Sequence, residues 1–368
     1  MKKAGVPQSS LRIDVVIDNY NYGRFLRAAI DSALAQSYPH VRVVVVDDGS
    51  TDDSREIIAS YGDRVVAVLK ENGGQGSAFN AGYAVAEGDV LMFLDADDTL
   101  EKRIAERVAQ AFTEHPDAAK IQWCMELADA EGRPGGTLRP AAHVPLPEGD
   151  MCRAELTFPF DIAWMATGGN AFPLSTLREI LPMPEADYRI NADSYLQHLP
   201  PLLGPVVSLE AVGAYRRMHG ANAYELDEAA PLNLEHVRET IRVAGVTREQ
   251  LELHATRLGL ERPAGPILSV SDVGNRLILL RLAPELHEPR DDHRGQLALA
   301  GLRAAQRRFD VAPALRVGFA AWFVLVAVVP RRTVPLLARW FLFPERRTAL
   351  NWLLGRLHRG EGDRSTPW

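Results

Sequence analysis

Between Ile13 and Leu94, short runs of apolar and β-branched residues alternate with stretches of helical periodicity. Strands are expected over Ile13–Ile17, Val41–Val46, Val65–Leu69 and Val90–Leu94, with helices over Arg24–Gln36, from a cap at Ser50 or Thr51 to Tyr61, and over Ser77–Ala86. Strands that are apolar without alternation must be covered on both faces. That pattern dictates a parallel sheet with helices on either side. In such sheets ligands bind at the carboxyl ends of the strands.

Carboxylates stand at those ends. Asp18 ends the first strand, Asp47 and Asp48 the second, and Asp95, Asp97 and Asp98 the fourth. Taken singly, Asp48-Gly49-Ser50 also reads as a turn, and Asp97-Asp98-Thr99 as a helix cap. Six acids on one rim repel one another unless a cation or hydrogen-bond donors fill the space, which points to a divalent metal. Oxygen ligands without cysteine suit Mg²⁺ or Mn²⁺, and Mg²⁺ ordinarily shares its shell with substrate phosphates. A phosphorylated ligand follows.

The apolar share of 46% and charged share of 24% are those of a globular chain, and 368 residues allow two or three domains. Two cysteines, Cys124 and Cys152, build neither a disulfide framework nor a zinc site, so a reducing compartment is expected. No apolar stretch follows the first lysines, so export through a signal peptide is not expected. Charge is unevenly spread. Residues 301–368 carry 12 Arg and 4 acids for a net +8, so the first 300 residues hold −15 of a total −7. An acidic body argues against nucleic acid as a partner.

Six ordered segments carry a resemblance: VVIDNYNYGRFL, VVVVDDGSTDDS, NGGQGSAFNAG, GDVLMFLDADD, TGGNAFP and YRRMHGANAY. Together they resemble the inverting glycosyltransferases of family 2, whose nucleotide-sugar-binding fold is called GT-A, over roughly Ile13 to Asn222. The resemblance implies an α/β fold with a mixed, mainly parallel sheet, flanking helices and, in this chain, a C-terminal helical region. It implies a nucleotide-diphospho-sugar donor, a UDP-sugar being favoured, held with Mn²⁺ or Mg²⁺. Asp18, Tyr20 and Asp48 map onto the nucleoside site, with Tyr20 offering a stacking face and Asp48 an acceptor for a uracil imide. Asp95 maps near the ribose and Asp97 onto the metal that bridges the diphosphate. His219 maps onto the metal or the diphosphate, or else is structural.

Asp193 maps onto the catalytic base, with an N-cap role as its alternative. Three positions depart from the family pattern: Asp18 replaces a small or hydroxyl residue, Phe79 an arginine, and Ala192 an acid. Gln75 is the neutral residue offered to the phosphates in place of that arginine. Trp164 is the residue expected to stack on an acceptor sugar, a core aromatic being the alternative.

The remaining chain is expected to divide at residue 227, with a helical extension over 228–310 and a basic, apolar tail over 311–368. Residues 116–230 read as loops broken by Pro and Gly clusters. Val317–Val329 is an uncharged run of 13 residues, short of the ~20 that span a bilayer. With Trp322, Trp340 and Trp352 beside arginines, the tail fits an anionic membrane surface, at the cytoplasmic face of the cell membrane. Lipid-linked molecules or cell-surface glycan precursors suit such a tail as acceptors. Two rival enzymes share parts of the pattern, a haloacid dehalogenase-type phosphatase through LMFLDADDT and a nucleotidyltransferase through the fold. The first normally opens its domain with that motif, and the second needs a Gly-rich, Arg-bearing loop absent after the first strand. A membrane-associated binding protein without catalysis is the third alternative.

Overall fold

A computed structural model describes residues 10–142, 144–220, 232–288 and 291–343. The expected boundary at 227, Ala221–Tyr224 of the YRRMHGANAY segment, Trp352 and the rest of 344–368 lie outside the described residues. The chain divides into two compact units, one of residues 1–156, 162–222 and 246–262, the other of 157–161, 223–245 and 263–368.

The first unit is organised by a sheet. Its elements run β1 (Ile13–Asn19), α1 (Gly23–Leu34), β2 (Val41–Asp48), α2 (Ser54–Ala59), β3 (Val66–Lys70), α3 (Gln75–Ala84), β4 (Val90–Asp95), β5 (Thr99–Leu100), α4 (Ile104–Glu114), β6 (Lys120–Ala128), β7 (Pro134–Arg139), α5 (Cys152–Glu155), β8 (Asn170–Pro173), α6 (Leu174–Ile180), α7 (Asp193–His198) and β9 (Val206–Arg217). Among the described residues the strand order is β3-β2-β1-β4-β8-β6-β9-β5, with β7 on β6. The first four strands are parallel, β8 is antiparallel to β4, and β6 and β9 are parallel to each other. The sheet is thus mixed and mainly parallel, as expected.

Val15, Val16, Ile17 and Val43–Val46 are buried on both faces, which is why these runs carry no polar alternation. Helices α1 and α4 close one face through Leu26, Ile30, Ile104 and Val108, within one continuous apolar cluster. The register sets Asp18 beside Asp95 and Asn19 beside Asp47, so the strand ends form one rim.

Two expectations fail here. Residues 116–230 are not only loops, because β6, β8 and β9 extend the sheet through them. Neither Ser50 nor Thr51 caps α2. The helix begins at Ser54, whose N–H donates to Asp52 Oδ1 at 3.1 Å, while Ser50 Oγ accepts from the Asn21 N–H at 2.9 Å. Ser50 is drawn away because the loop after β1 needs an acceptor, and Asp52 lies nearer the helix start.

The second unit is helical, with α9 (Val270–Leu282), α10 (Arg294–Arg307), α11 (Pro313–Val328) and α12 (Val334–Leu342); α8 (Leu234–Arg257) precedes them in the chain. Val273, Leu277, Ala304, Phe323, Val326, Val334 and Phe341 form its core. Trp322 belongs there too, stacked on Phe341 at 4.1 Å and donating to the Leu337 carbonyl at 3.0 Å. Its expected place in an interface belt is therefore corrected: a bulky indole on the inward face of this apolar helix gains more from burial. The helix ends are satisfied by side chains. Asp161 accepts the Val270 and Ser271 N–H groups at the start of α9, and Arg281 donates to the Val326 and Ala327 carbonyls at the end of α11.

No helix among the described residues is long and apolar enough to cross a membrane. One side of α11 nevertheless faces solvent with apolar residues alone: Val317, Val324, Leu325 and Val328, up to 72% exposed, ahead of exposed Arg331 and Arg332.

Candidate active site

The rim acids divide into two groups by their partners. Asp47 pairs with Arg55 at 2.7 Å and accepts from Asn19 and the Ser50 N–H, which holds its carboxyl below the usual range against the opposing effect of burial. Asp48 pairs with Lys70 at 2.6 Å and accepts the N–H groups of Gly73 at 2.9 Å and Gly74 at 2.7 Å. Both oxygens of Asp48 are thus engaged within the protein.

The second group is Asp18, Asp95, Asp97 and Asp98. Asp95, Asp97 and Asp98 bring ligand atoms within 4.8 Å of one another. Burial first, then the neighbouring carboxylates, pushes Asp18 and Asp98 well above the ordinary range and Asp95 up to about 7. Asp18 Oδ1 is buried without a hydrogen-bond partner. Carboxylates so crowded favour either protons or a cation, and an all-oxygen donor set fits a hard divalent ion.

The turn that carries these acids is held from β9. The Arg217 N–H donates to Asp98 Oδ1 at 3.0 Å, and its guanidinium donates to the Asp97 carbonyl at 2.9 Å. His219 Nε2 lies 3.0 Å from Asp97 Oδ2, its ring packed 4.6 Å from Phe25. His219 and Asp97, assigned jointly to a metal, are thus brought together. Tyr20 is 47% exposed in the loop after β1, at the same rim.

Asp193 is the first residue of α7, and Ala192 occupies the cap position, so the N-cap alternative does not hold. Asp193 Oδ2 accepts from Gln197 Nε2 at 3.0 Å. Burial raises its pKa, opposed chiefly by Arg216. Its charge reaches Asp95, whose pKa it helps to raise.

Gln75 does not stand free for a phosphate. Its Nε2 donates to Asp95 Oδ1 at 3.1 Å and its Oε1 accepts the Ala192 N–H at 3.0 Å.

Trp164 is half-buried and fixed from two sides. Its indole N–H donates to Glu155 Oε2 at 3.2 Å, and Lys120 Nζ lies 4.2 Å from the ring centre. Glu155 also meets His198 Nδ1, and both are buried.

Three residues near the site escaped the sequence reading. Arg216 acts on Asp95, Asp98 and Asp193, and its signal was the basic pair closing β9 before His219. Lys120 and Glu155 gave no signal, since a lysine opening a strand and a glutamate in a short helix look solvent-exposed.

Lys120 yields a stability prediction. Its Nζ is buried without a hydrogen-bond partner, and burial drives its pKa from 10.5 down to about 7, against the opposing charges of Glu155 and Asp193. Between those values the unfolded chain binds a proton that the folded chain releases, so this group's penalty is full below pH 7 and fades as pH rises to 10.5. Lys120→Met, with Glu155 still paired to His198 and Trp164, should raise the melting temperature at pH 7 by several degrees. The margin should close towards pH 10. A variant less stable at pH 7, or a margin independent of pH, contradicts this.

The Glycosyl transferase family 2 profile matches residues 14–156. An uncharacterized glycosyltransferase of Nostoc sp. is 34% identical over 217 residues, 58% of this chain and 66% of that protein. Glycosyltransferase GlyA of Streptococcus pneumoniae is 34% identical over 124 residues, 33% of this chain and 18% of that protein. The chain therefore spans 66% or less of the length of these relatives. The crystal structure of S. aureus TarS 1–349 aligns with a TM-score of 0.50 at 15% identity, covering 92% of each chain, a likeness of fold. The profile match and the relatives place residues 14–156 of this chain in glycosyl transferase family 2.

Proposed function

We propose that the chain transfers a sugar from a UDP-sugar to a hydroxyl acceptor, with inversion at the anomeric carbon and with Mn²⁺ or Mg²⁺ at Asp95, Asp97 and Asp98. One observation carries the reading: a crowded set of carboxylates at the end of β4 lies within electrostatic reach of a separate, half-buried carboxylate, Asp193, on α7. Asp95, Asp97 and Asp98 would hold a divalent ion, which when bound would offset diphosphate charge and so improve the leaving group. The chain's own residues supply the rest.

Tyr20 offers an exposed ring for the base. His219 and Arg217 hold the Asp97–Asp98 turn in place. Asp193, fixed by Gln197, accepts the acceptor's proton, and burial moves its pKa upward, the direction that favours a general base. The Arg216 charge opposes that rise and favours the ionised form. Trp164, locked by Glu155 and Lys120, offers a rigid face for an acceptor sugar.

Asp97→Asn should leave the fold intact and remove most transfer at saturating Mn²⁺ and donor; wild-type turnover would sink the metal assignment. Asp193→Asn should bind donor normally and lose about 10² to 10⁴ in transfer rate. Because the base must be deprotonated and its pKa is raised, wild-type transfer should fall on acidification, with its midpoint above the ordinary aspartate range. Product NMR should give the anomeric configuration opposite to the donor's. Retention, or unimpaired transfer by Asp193→Asn, contradicts this mechanism.

An anionic membrane at the cytoplasmic face is proposed as the partner of the second unit, with a lipid-linked or membrane-proximal glycan precursor as acceptor. Its support is the apolar side of α11 beside Arg331 and Arg332, and the +8 charge of residues 301–368. Vesicles containing anionic lipid should pellet the protein better than neutral vesicles, with release at high salt. Val317→Ser with Val328→Ser should weaken pelleting while leaving nucleotide binding unchanged. Equal pelleting on both vesicle types, or by both forms of the protein, would overturn the membrane assignment.

A further inference from the structure

Three parts of the site meet at Gln75. The Gly-rich loop is locked in place from below: Asp48 accepts the Gly73 and Gly74 N–H groups, and Gly74 adopts φ +90°, where a Cβ would collide with the Arg189 backbone. From there the Gln75 N–H donates to the Arg189 carbonyl at 2.8 Å and the Gly76 N–H to the Tyr188 carbonyl at 2.9 Å. The loop that leads into α7 is thereby pinned to the first turn of α3.

The Gln75 side chain completes the link. Its amide donates to Asp95 Oδ1 at 3.1 Å and accepts from the Ala192 N–H at 3.0 Å. A carboxylate needs a donor and a backbone N–H needs an acceptor. An amide of this reach satisfies both, whereas a glutamate would set a second carboxylate against Asp95. Ala192 is the residue before Asp193, so one side chain bridges the acid at the end of β4 to the start of the helix bearing the base.

We propose that Gln75 is a positioning residue that sets the spacing between the diphosphate-holding acids and Asp193. The inference rests on Asp193 being the base of the proposed function. Single displacement needs base, hydroxyl, anomeric carbon and leaving oxygen aligned, and a misplacement of about 1 Å can cost about 10² in rate. The bridge acts on turnover rather than on donor affinity, because its hydrogen bonds run between protein groups.

Gln75→Met keeps the shape of the side chain at this half-buried position and removes both hydrogen bonds. It should bind UDP with Mn²⁺ within about threefold of wild type and lose about 10²-fold in kcat. In an Asp193→Asn background the same change should cost less than about threefold, because the group it positions is already disabled. Gln75→Asn, polar but one methylene too short, provides the same comparison should the methionine variant fold poorly. Unchanged kcat, a loss confined to UDP affinity, or an equal loss in both backgrounds would overturn the role of Gln75. Absence of transfer by the wild type with every donor would instead count against the proposed function.

Discussion

Everything at this site follows from the repulsion among carboxylates gathered at the carboxyl ends of parallel strands. Where such a carboxylate has a structural task, the fold neutralises it. Asp47 has Arg55 and Asp48 has Lys70 with two backbone N–H groups, and these acids stiffen the loops after β1 and β2. Asp18, Asp95 and Asp98 make no ion pair with a lysine or arginine among the described residues, and burial makes their crowding severe. An unrelieved cluster of this kind is one that a bound cation would relieve. The difference between the two groups separates scaffold from site.

The scaffold keeps that cluster at a fixed distance from Asp193. Parallel pairing sets Asp18 against Asp95, β9 holds the Asp97–Asp98 turn through Arg217 and His219, and Gln75 ties Asp95 to the start of α7. Each tie is a hydrogen bond between elements remote in sequence, so the placement of the β4 acids relative to Asp193 is a property of the whole sheet. The buried Lys120, Glu155 and His198 do the same for Trp164, at a cost to stability that the pKa of Lys120 reveals.

The first half of the sheet was legible in the sequence because β1, β2 and β4 are buried on both faces and therefore written mainly in valine, isoleucine, leucine and phenylalanine, while β3, at the edge, is partly exposed yet still apolar. The second half was not. β6 begins with Lys120 and contains Gln122, both buried and polar, while β9 reads VVSLEAVGAYRR, so neither shows the apolar run or clean alternation that marks a strand. Asp95, Asp97 and Asp193 could be named from local segments. What Gln75, Arg216 and Glu155 do could not, since it depends on partners between 20 and 117 residues away for Gln75 alone. The stripe on α11 lay within a run recognised as apolar, but which side faces inward was settled by packing against α9 and α12.

The central claim is that the acids at the end of β4 and a nucleoside diphosphate share one divalent ion. Calorimetric titration of the full chain with UDP, with and without Mn²⁺, tests it directly. Binding free energies are reciprocal, so Mn²⁺ should tighten UDP and UDP should tighten Mn²⁺ by the same factor, of about tenfold or more. Equal UDP affinity in the presence and absence of the metal, or no UDP binding at all, would contradict the account.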